Sequence, residues 1–454
     1  MKRGCLMIAA IGLLWPLAAA RFAFTQEPPP VSANVDELAE MRTRLADVES
    51  RLKKRDESDK KSADAAKKKF TVRPFGRIHV DAATFHQDAA NKATVGDANN
   101  GVDIRRARLG VEGEGFDVFS YRFDVDFVTF DQSTLSRPLI VDAYLDTKEV
   151  PVFGNVRAGH FREPFSLDRL DSTNDLPFLE RTAVVNTLVP FRNIGLMAFD
   201  WNECEKMTWA YGLFDENTNE FGEDNRDRTG IAATGRMTFL PWVNDDNSEL
   251  LHLGASYSYR HLGLTQRRFN QRPEVFLKEG VLLSTPSFVD TGVGAKLINI
   301  GDYQVAGVEA CTVLGPLSVQ GEYIFLAGQQ HNGNSLFLQG GYVEAMYWLT
   351  GEHRNYNRKQ GIFGAVTPNS TFLQQDQNGC RSGLGAFEAT ARVSYLDLDH
   401  HNVQGGKLTD ITVGLNWYYT IRSRVMFNYI HAFLDRNNIN SNADILALRF
   451  QYAF

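Results

Sequence analysis

Long stretches of this chain alternate strictly between apolar and polar residues, and that period of two rules out most folds. Tyr121, Phe123, Val125 and Phe127 alternate with Arg122, Asp124 and Asp126. Leu251, Leu253, Ala255, Tyr257 and Tyr259 alternate with His252, Gly254, Ser256 and Ser258. The same pattern returns at 317–325, 387–395 and 411–419. Successive side chains of a β-strand point to opposite faces, so each segment has one apolar and one polar face.

A soluble sandwich would also alternate. Three features favour a transmembrane barrel. The segments approach the ~9–11 residues of a tilted membrane strand. Aromatics gather at the ends of the apolar faces, as in interfacial girdles. The final strand places Leu446, Leu448, Phe450, Tyr452 and Phe454 on one face and stops on an aromatic. Phe450, Tyr452 and Phe454 are thus the expected signal for the machinery that inserts barrels into an outer membrane. The mean hydropathy of −0.29 fits, because only alternate residues of such a strand meet lipid. A helical membrane protein would need apolar runs of roughly 20 residues. The expected fold is all-β, an antiparallel barrel over 70–454. Its ~385 residues, at roughly 24 per strand and turn, suit about 16 strands, within the bacterial range.

The N-terminal part is different. Lys2 and Arg3, the apolar run Leu6 to Leu17 and Ala18-Ala19-Ala20 read as a signal peptide over 1–20. Residues 21–34 hold the joint Pro28-Pro29-Pro30. In 35–69, Leu38, Met41, Leu45, Val48 and Leu52 are spaced three, four, three, four, the seam of a coiled coil. A solvated amphipathic helix and a trimeric periplasmic stalk both fit, followed by a Lys-rich flexible or helical linker.

Several blocks resemble the phosphate-selective porin O/P family: Arg105-Arg106-Ala107-Arg108-Leu109, Val141-Asp142-Ala143-Tyr144-Leu145, and Ala158-Gly159-His160-Phe161-Arg162-Glu163-Pro164-Phe165. Phe178-Leu179-Glu180-Arg181, Phe191-Arg192-Asn193-Ile194-Gly195 and Gly414-Leu415-Asn416-Trp417-Tyr418 extend the match. The resemblance implies a homotrimeric, sixteen-stranded outer-membrane porin of a diderm envelope. Small hydrophilic solutes, with oxyanions such as phosphate among the candidates, would diffuse through it passively. It also implies a long loop folded into the lumen, here 161–193; a loop lying over the mouth is the alternative.

On this reading Arg106, Arg108 and Arg122 on the wall and Arg162, Arg169, Arg181 and Arg192 in the loop are the anion-contact candidates, since a guanidinium fork suits oxyanions. Glu112, Asp124, Asp126, Glu163 and Glu180 are the expected counter-charges. The loop has no lysine, and residues 70–454 carry a net charge of −11. A specific anion channel and a general pore therefore both stay open. The loop arginines have a second possible use, pinning the loop to carboxylates, with Arg181 beside Glu180. Arg105 falls on the apolar register and should snorkel at an interface.

Other classes fare worse. No G-x-S-x-G elbow, HExxH or CxxC spacing occurs; of the available histidines His79, His86, His400 and His401, the last two sit in a polar turn and His79 reads as a strand residue, so no enzyme, metal or cofactor is expected. Cys204, Cys311 and Cys380 are too scattered for a disulfide framework. A net charge of −7 gives no footing for nucleic acid. An envelope tether binding peptidoglycan or a periplasmic partner through 35–69 is the rival function, with an outer-membrane hydrolase behind it.

Overall fold

The computed structural model describes residues 35–454 apart from 129–137, 217–229, 263–265, 280–282, 293–296 and 376–380. The signal-peptide and joint expectations, at 1–34, lie outside the described residues. The helix α1 (Val35–Lys69) belongs, as far as Ala65, to a unit separate from the rest.

The second unit is a closed antiparallel barrel of 16 long strands. They are β1 (Arg73–Gln87), β2 (Gly101–Gly115), β3 (Phe119–Asp126), β4 (Leu139–Val150), β5 (Gly154–Arg162), β6 (Arg192–Trp201), β7 (Met207–Asp215) and β8 (Ile231–Val243). The other half has β9 (Glu249–His261), β10 (Ile298–Leu314), β11 (Leu317–Gln330), β12 (Ser335–Trp348), β13 (Ala386–His400), β14 (Val403–Thr420), β15 (Ser423–Arg436) and β16 (Ile439–Ala453). Each pairs with its neighbours in sequence. Pairing of β1 with β16, from Arg77↔Ala453 to Gln87↔Ala443, closes the ring and leaves no free edge.

Side-chain parity follows the alternation. Leu446, Leu448, Phe450, Tyr452 and Phe454 are 43–46% exposed on the outer face, while Arg449 and Gln451 between them are buried. Both ends of the ring chain emerge at one end of the barrel, here the near end. Turns at that end are short, with one exception at 349–385, and the longer connections 88–100, 163–191 and 262–297 lie at the far end.

The lumen is filled unevenly. The connection 163–191 turns inward and carries two short helices, α2 (Leu167–Leu170) and α3 (Ala183–Leu188). Phe165, Val184, Val185 and Leu188 pack on Val305, Ile324, Leu326, Leu338, Leu396 and Leu434 of the β10–β15 wall. Each such apolar side chain contributes roughly 1.5–3 kcal/mol by leaving water. These wall residues break the polar-inside rule. Ile324, which sits on the polar parity of its strand, is apolar because a loop rather than water lies against it.

Candidate functional site

With one half of the lumen packed, the open space runs along β1–β8. Two cavities lie there, the far one reaching on to Arg260 of β9 and Tyr303 of β10. The far one, ≈ 340 Å³, is lined by Arg108, Arg192, Arg260, Arg267 and Arg268 against Asp126 and Glu216, with an apolar side made by Leu139, Val141, Leu188 to Phe191 and Phe269. In the near one, ≈ 520 Å³, Arg77, Arg122, Arg157, Arg162, Arg236 and Lys359 join Arg108 and Arg192 against Glu112, Asp124, Asp142, Asp175 and Asp200. Arg108 and Arg192 line both cavities and so mark the waist between them.

Local geometry explains why these arginines stand there. Ladder pairing continues to Arg162↔Arg192, so both are wall residues at the feet of the inward loop, and the loop proper is 163–191 rather than 161–193. Like charges directly opposite repel. The structure separates their partners: Arg192 forks onto Asp142 at 2.9 and 3.2 Å. Arg162 instead donates to the carbonyl oxygens of Arg169, Leu170 and Asp171 at 3.1, 2.7 and 3.1 Å, at the C-terminal end of α2, where a cation is favoured. Arg108 Nε meets Asp126 at 2.7 Å. Arg122 reaches Glu112 at 2.7 Å and stands 3.5 Å from Asp124, whose two carboxylate oxygens have no hydrogen-bond partner. Glu112 also holds Arg73.

The remaining candidates hold the loop. Glu180 is clamped by Arg105 (2.8 Å), Arg106 (3.0 Å) and Arg449 (2.9 Å). Arg105 therefore does not snorkel outward: a register shift between His79 and Val80 in the β1–β2 ladder lets Arg105 and Arg106 both turn in. Arg181 is not paired with Glu180 but donates to the carbonyls of Asp168 and Asp171 at 2.7 and 2.5 Å. Arg169 donates to the Val185 carbonyl. Arg106, Arg169 and Arg181 line neither cavity. Glu163, with its side chain fully buried, accepts from Arg260 at 2.9 Å and from Asn193 at 2.6 Å.

Two further connections enter the lumen that the sequence reading did not place there. From the far end, Glu274 accepts from Ala183 N at 3.0 Å and from Ser394 Oγ at 2.6 Å, and pairs with Arg392. From the near end, the part of 349–385 around Arg354 and Phe363 meets the inward loop. There Arg354 reaches Asp171 at 3.2 Å while Phe363 N donates to the same carboxylate at 2.9 Å. Burial pushes the Asp171 carboxyl up to about 7, against the opposing pull of Arg354. Tyr356 of this connection lies 2.6 Å from His252 Nδ1, and Arg236 donates to the Gly361 carbonyl at 2.8 Å. Parity would have found Arg236, Arg260, Arg392 and Arg449, all inward residues of alternating strands. Nothing local marks 349–385 as inserted.

Gly159, inside the Ala158-to-Phe165 block, adopts φ +134, and a Cβ there would press into the Ala143 carbonyl oxygen of the adjacent strand. Cys204 is exposed and Cys311 buried, both free thiols.

Comparison with known proteins agrees with this architecture. The sequence pattern of the family described as phosphate-selective porin O and P matches residues 72–454. Porin O of Pseudomonas aeruginosa is 23% identical over 419 residues, 85% of this chain and 89% of that protein. A protein of Caulobacter vibrioides described as uncharacterized is 26% identical over 365 residues, 78% of this chain and 67% of its own. Among solved structures, the anion-selective porin from Comamonas acidovorans superposes with a TM-score of 0.51 at 13% identity, covering 85% of this chain and all of that one. The outer-membrane channel DcaP of Acinetobacter baumannii gives 0.51 at 11% identity, covering 86% and 98%. At such identities the two structures speak for the fold alone. The match across the whole barrel carries the assignment: this chain belongs to the phosphate-selective porin O and P family and is a porin of the Gram-negative outer membrane.

Proposed function

We propose that the channel favours anions, passing small hydrophilic solutes, oxyanions such as phosphate among them, by passive diffusion along the β1–β8 side of the lumen. The observation that carries this reading is the charge at the waist. Both cavities hold more cationic than carboxylate side chains, although the barrel region as a whole is net negative. An anion in a narrow pore is stabilised by fixed cations it passes, and the narrowness limits screening by water.

On the same reading the near end, with both ends of the barrel chain, faces the periplasm. The leader is removed on export, Phe450, Tyr452 and Phe454 present the strand to the insertion machinery, and the barrels assemble as homotrimers. The channel performs no catalytic step. A tethering role of 35–69 toward peptidoglycan would coexist with transport.

The test is single-channel conductance in a planar bilayer with the salt exchanged one ion at a time. The proposal expects conductance to fall when chloride is replaced by a bulky anion and to change little when potassium is replaced by a bulky cation. The reverse pattern would refute it and leave a cation-favouring or general pore.

A further inference from the structure

The helix α1 carries an apolar stripe that stands exposed among the described residues. Met41, Leu45, Val48 and Leu52 are 61, 61, 51 and 55% exposed. With Leu38 they occupy alternate a and d positions: Leu38, Leu45 and Leu52 at a, Met41 and Val48 at d. The residues flanking the stripe then become informative. Position g is held by Glu37, Arg44 and Arg51, and position e by Arg42, Glu49 and Asp56. In a parallel coiled coil each g residue meets the e residue five positions later on the neighbouring helix. The three contacts are Glu37 with Arg42, Arg44 with Glu49, and Arg51 with Asp56, and all three join opposite charges.

An antiparallel pairing sets g against g and e against e. Aligned over the same residues, that arrangement joins Glu37 with Arg51 and Arg42 with Asp56 but sets Arg44 against Arg44 and Glu49 against Glu49, so only the parallel arrangement matches every contact. Arg44 and Arg51 are also steadied within their own helix, by Glu40 at 2.6 Å and Asp47 at 2.9 Å. Leucine at a with a β-branched residue at d, as at Val48, turns the packing away from dimers toward higher order.

We propose that residues 37–56 of three copies of this chain form a parallel coiled coil whose register is set by these three charge contacts. The proposal rests on the homotrimer reading above and names the surface that joins the copies outside the barrel. Little more than two heptads is marginal for an isolated helix. Three helices tethered to an assembled barrel meet at an effective concentration in the mM range, so the coil forms on the assembly rather than driving it. The charge contacts act as a register, because all copies enter parallel and only this alignment matches every pair.

The experiment uses the full chain in native outer membranes, with Cys204 and Cys380 replaced by serine. One cysteine is introduced at an a position, Leu45→Cys, or at an outward f position, Ser50→Cys. The proposal expects oxidation to give a crosslinked pair on a non-reducing denaturing gel for Leu45→Cys and not for Ser50→Cys. Adding Arg44→Glu should abolish the Leu45→Cys crosslink, and adding Glu49→Arg as well should restore it. Light scattering on the same detergent-extracted barrels separates the two readings. Trimeric barrels with equal crosslinking at 45 and 50, or with none, overturn the coiled coil alone. Monomeric barrels overturn the trimer and the coil together.

Discussion

Replacing Arg192 with glutamine removes one of the two cations shared by both cavities while keeping a side chain that can donate to Asp142. The fold should survive, because Arg122 Nε remains 3.7 Å from the same carboxylate. The expected effect is on selectivity. A monovalent ion passing about 5 Å from a unit charge changes energy by about 0.8 kcal/mol where water screens fully, and by roughly 3 kcal/mol at an effective dielectric near 20. Even the lower figure is about fourfold in occupancy. The anion loses that factor and a cation gains it, so the anion-to-cation permeability ratio should fall by roughly an order of magnitude. Reversal potentials of single channels in a KCl gradient read the ratio directly. Arg422→Gln, at an exposed turn of the near end, is the control, and screening should leave it silent. A ratio unchanged in Arg192→Gln, or shifted equally in the control, would refute the placement of the waist.

Other consequences are as concrete. Arg260→Met strands the fully buried Glu163 carboxylate and should destabilise the barrel by about 3–5 kcal/mol, read as a lower temperature of heat modification on gels. Ala210→Cys, on the near cavity, should lose conductance to a charged thiol reagent, whereas Ser318→Cys, on the packed half, should not; equal block at both would mean the lumen is open throughout. Gly159→Ala should cost about 1–3 kcal/mol and lower the folded yield, since only glycine relieves that backbone conformation beside β4. Asp171 holds its proton in the folded state up to about pH 7 while an unfolded aspartate loses it near pH ~4. Its contribution to stability should therefore fall as pH rises through that window. Asp171→Asn should flatten that part of the pH profile of heat modification; an identical slope in both proteins would show that Asp171 does not titrate there.

Much of this was legible from alternation. Phe123, Val393, Ile411 and Leu448 face outward as their parity requires, and the terminal aromatic strand closes the ring against β1. Parity fails where a local event intervenes. The β1–β2 register shift turned Arg105 inward, and no residue type at that point signals a bulge. Inward Ile324, Leu326, Leu338 and Leu396 were a readable sign of something apolar inside, but periodicity cannot say which connection supplies it. Arg162 and Arg192 looked like loop residues because the ladder runs two residues further than the apolar pattern does. Roles within the arginine set were out of reach for the same reason: whether Arg106, Arg169 and Arg181 meet solute or hold the fold depends on partners distant in sequence, such as Arg449 beside Arg106 on Glu180. The insertion of the segment around Arg354 and Phe363 depends on their meeting Asp171 across 183 and 192 residues of sequence, which no local pattern encodes.

The most direct test of the account is the reversal potential of the unmodified channel across a KCl gradient at low ionic strength. A waist set by Arg108 and Arg192 predicts a potential of the sign that chloride permeation gives, weakening as salt screens the fixed charges. A potential of the opposite sign, or one indifferent to salt, would contradict a cationic waist as the determinant of what this porin passes.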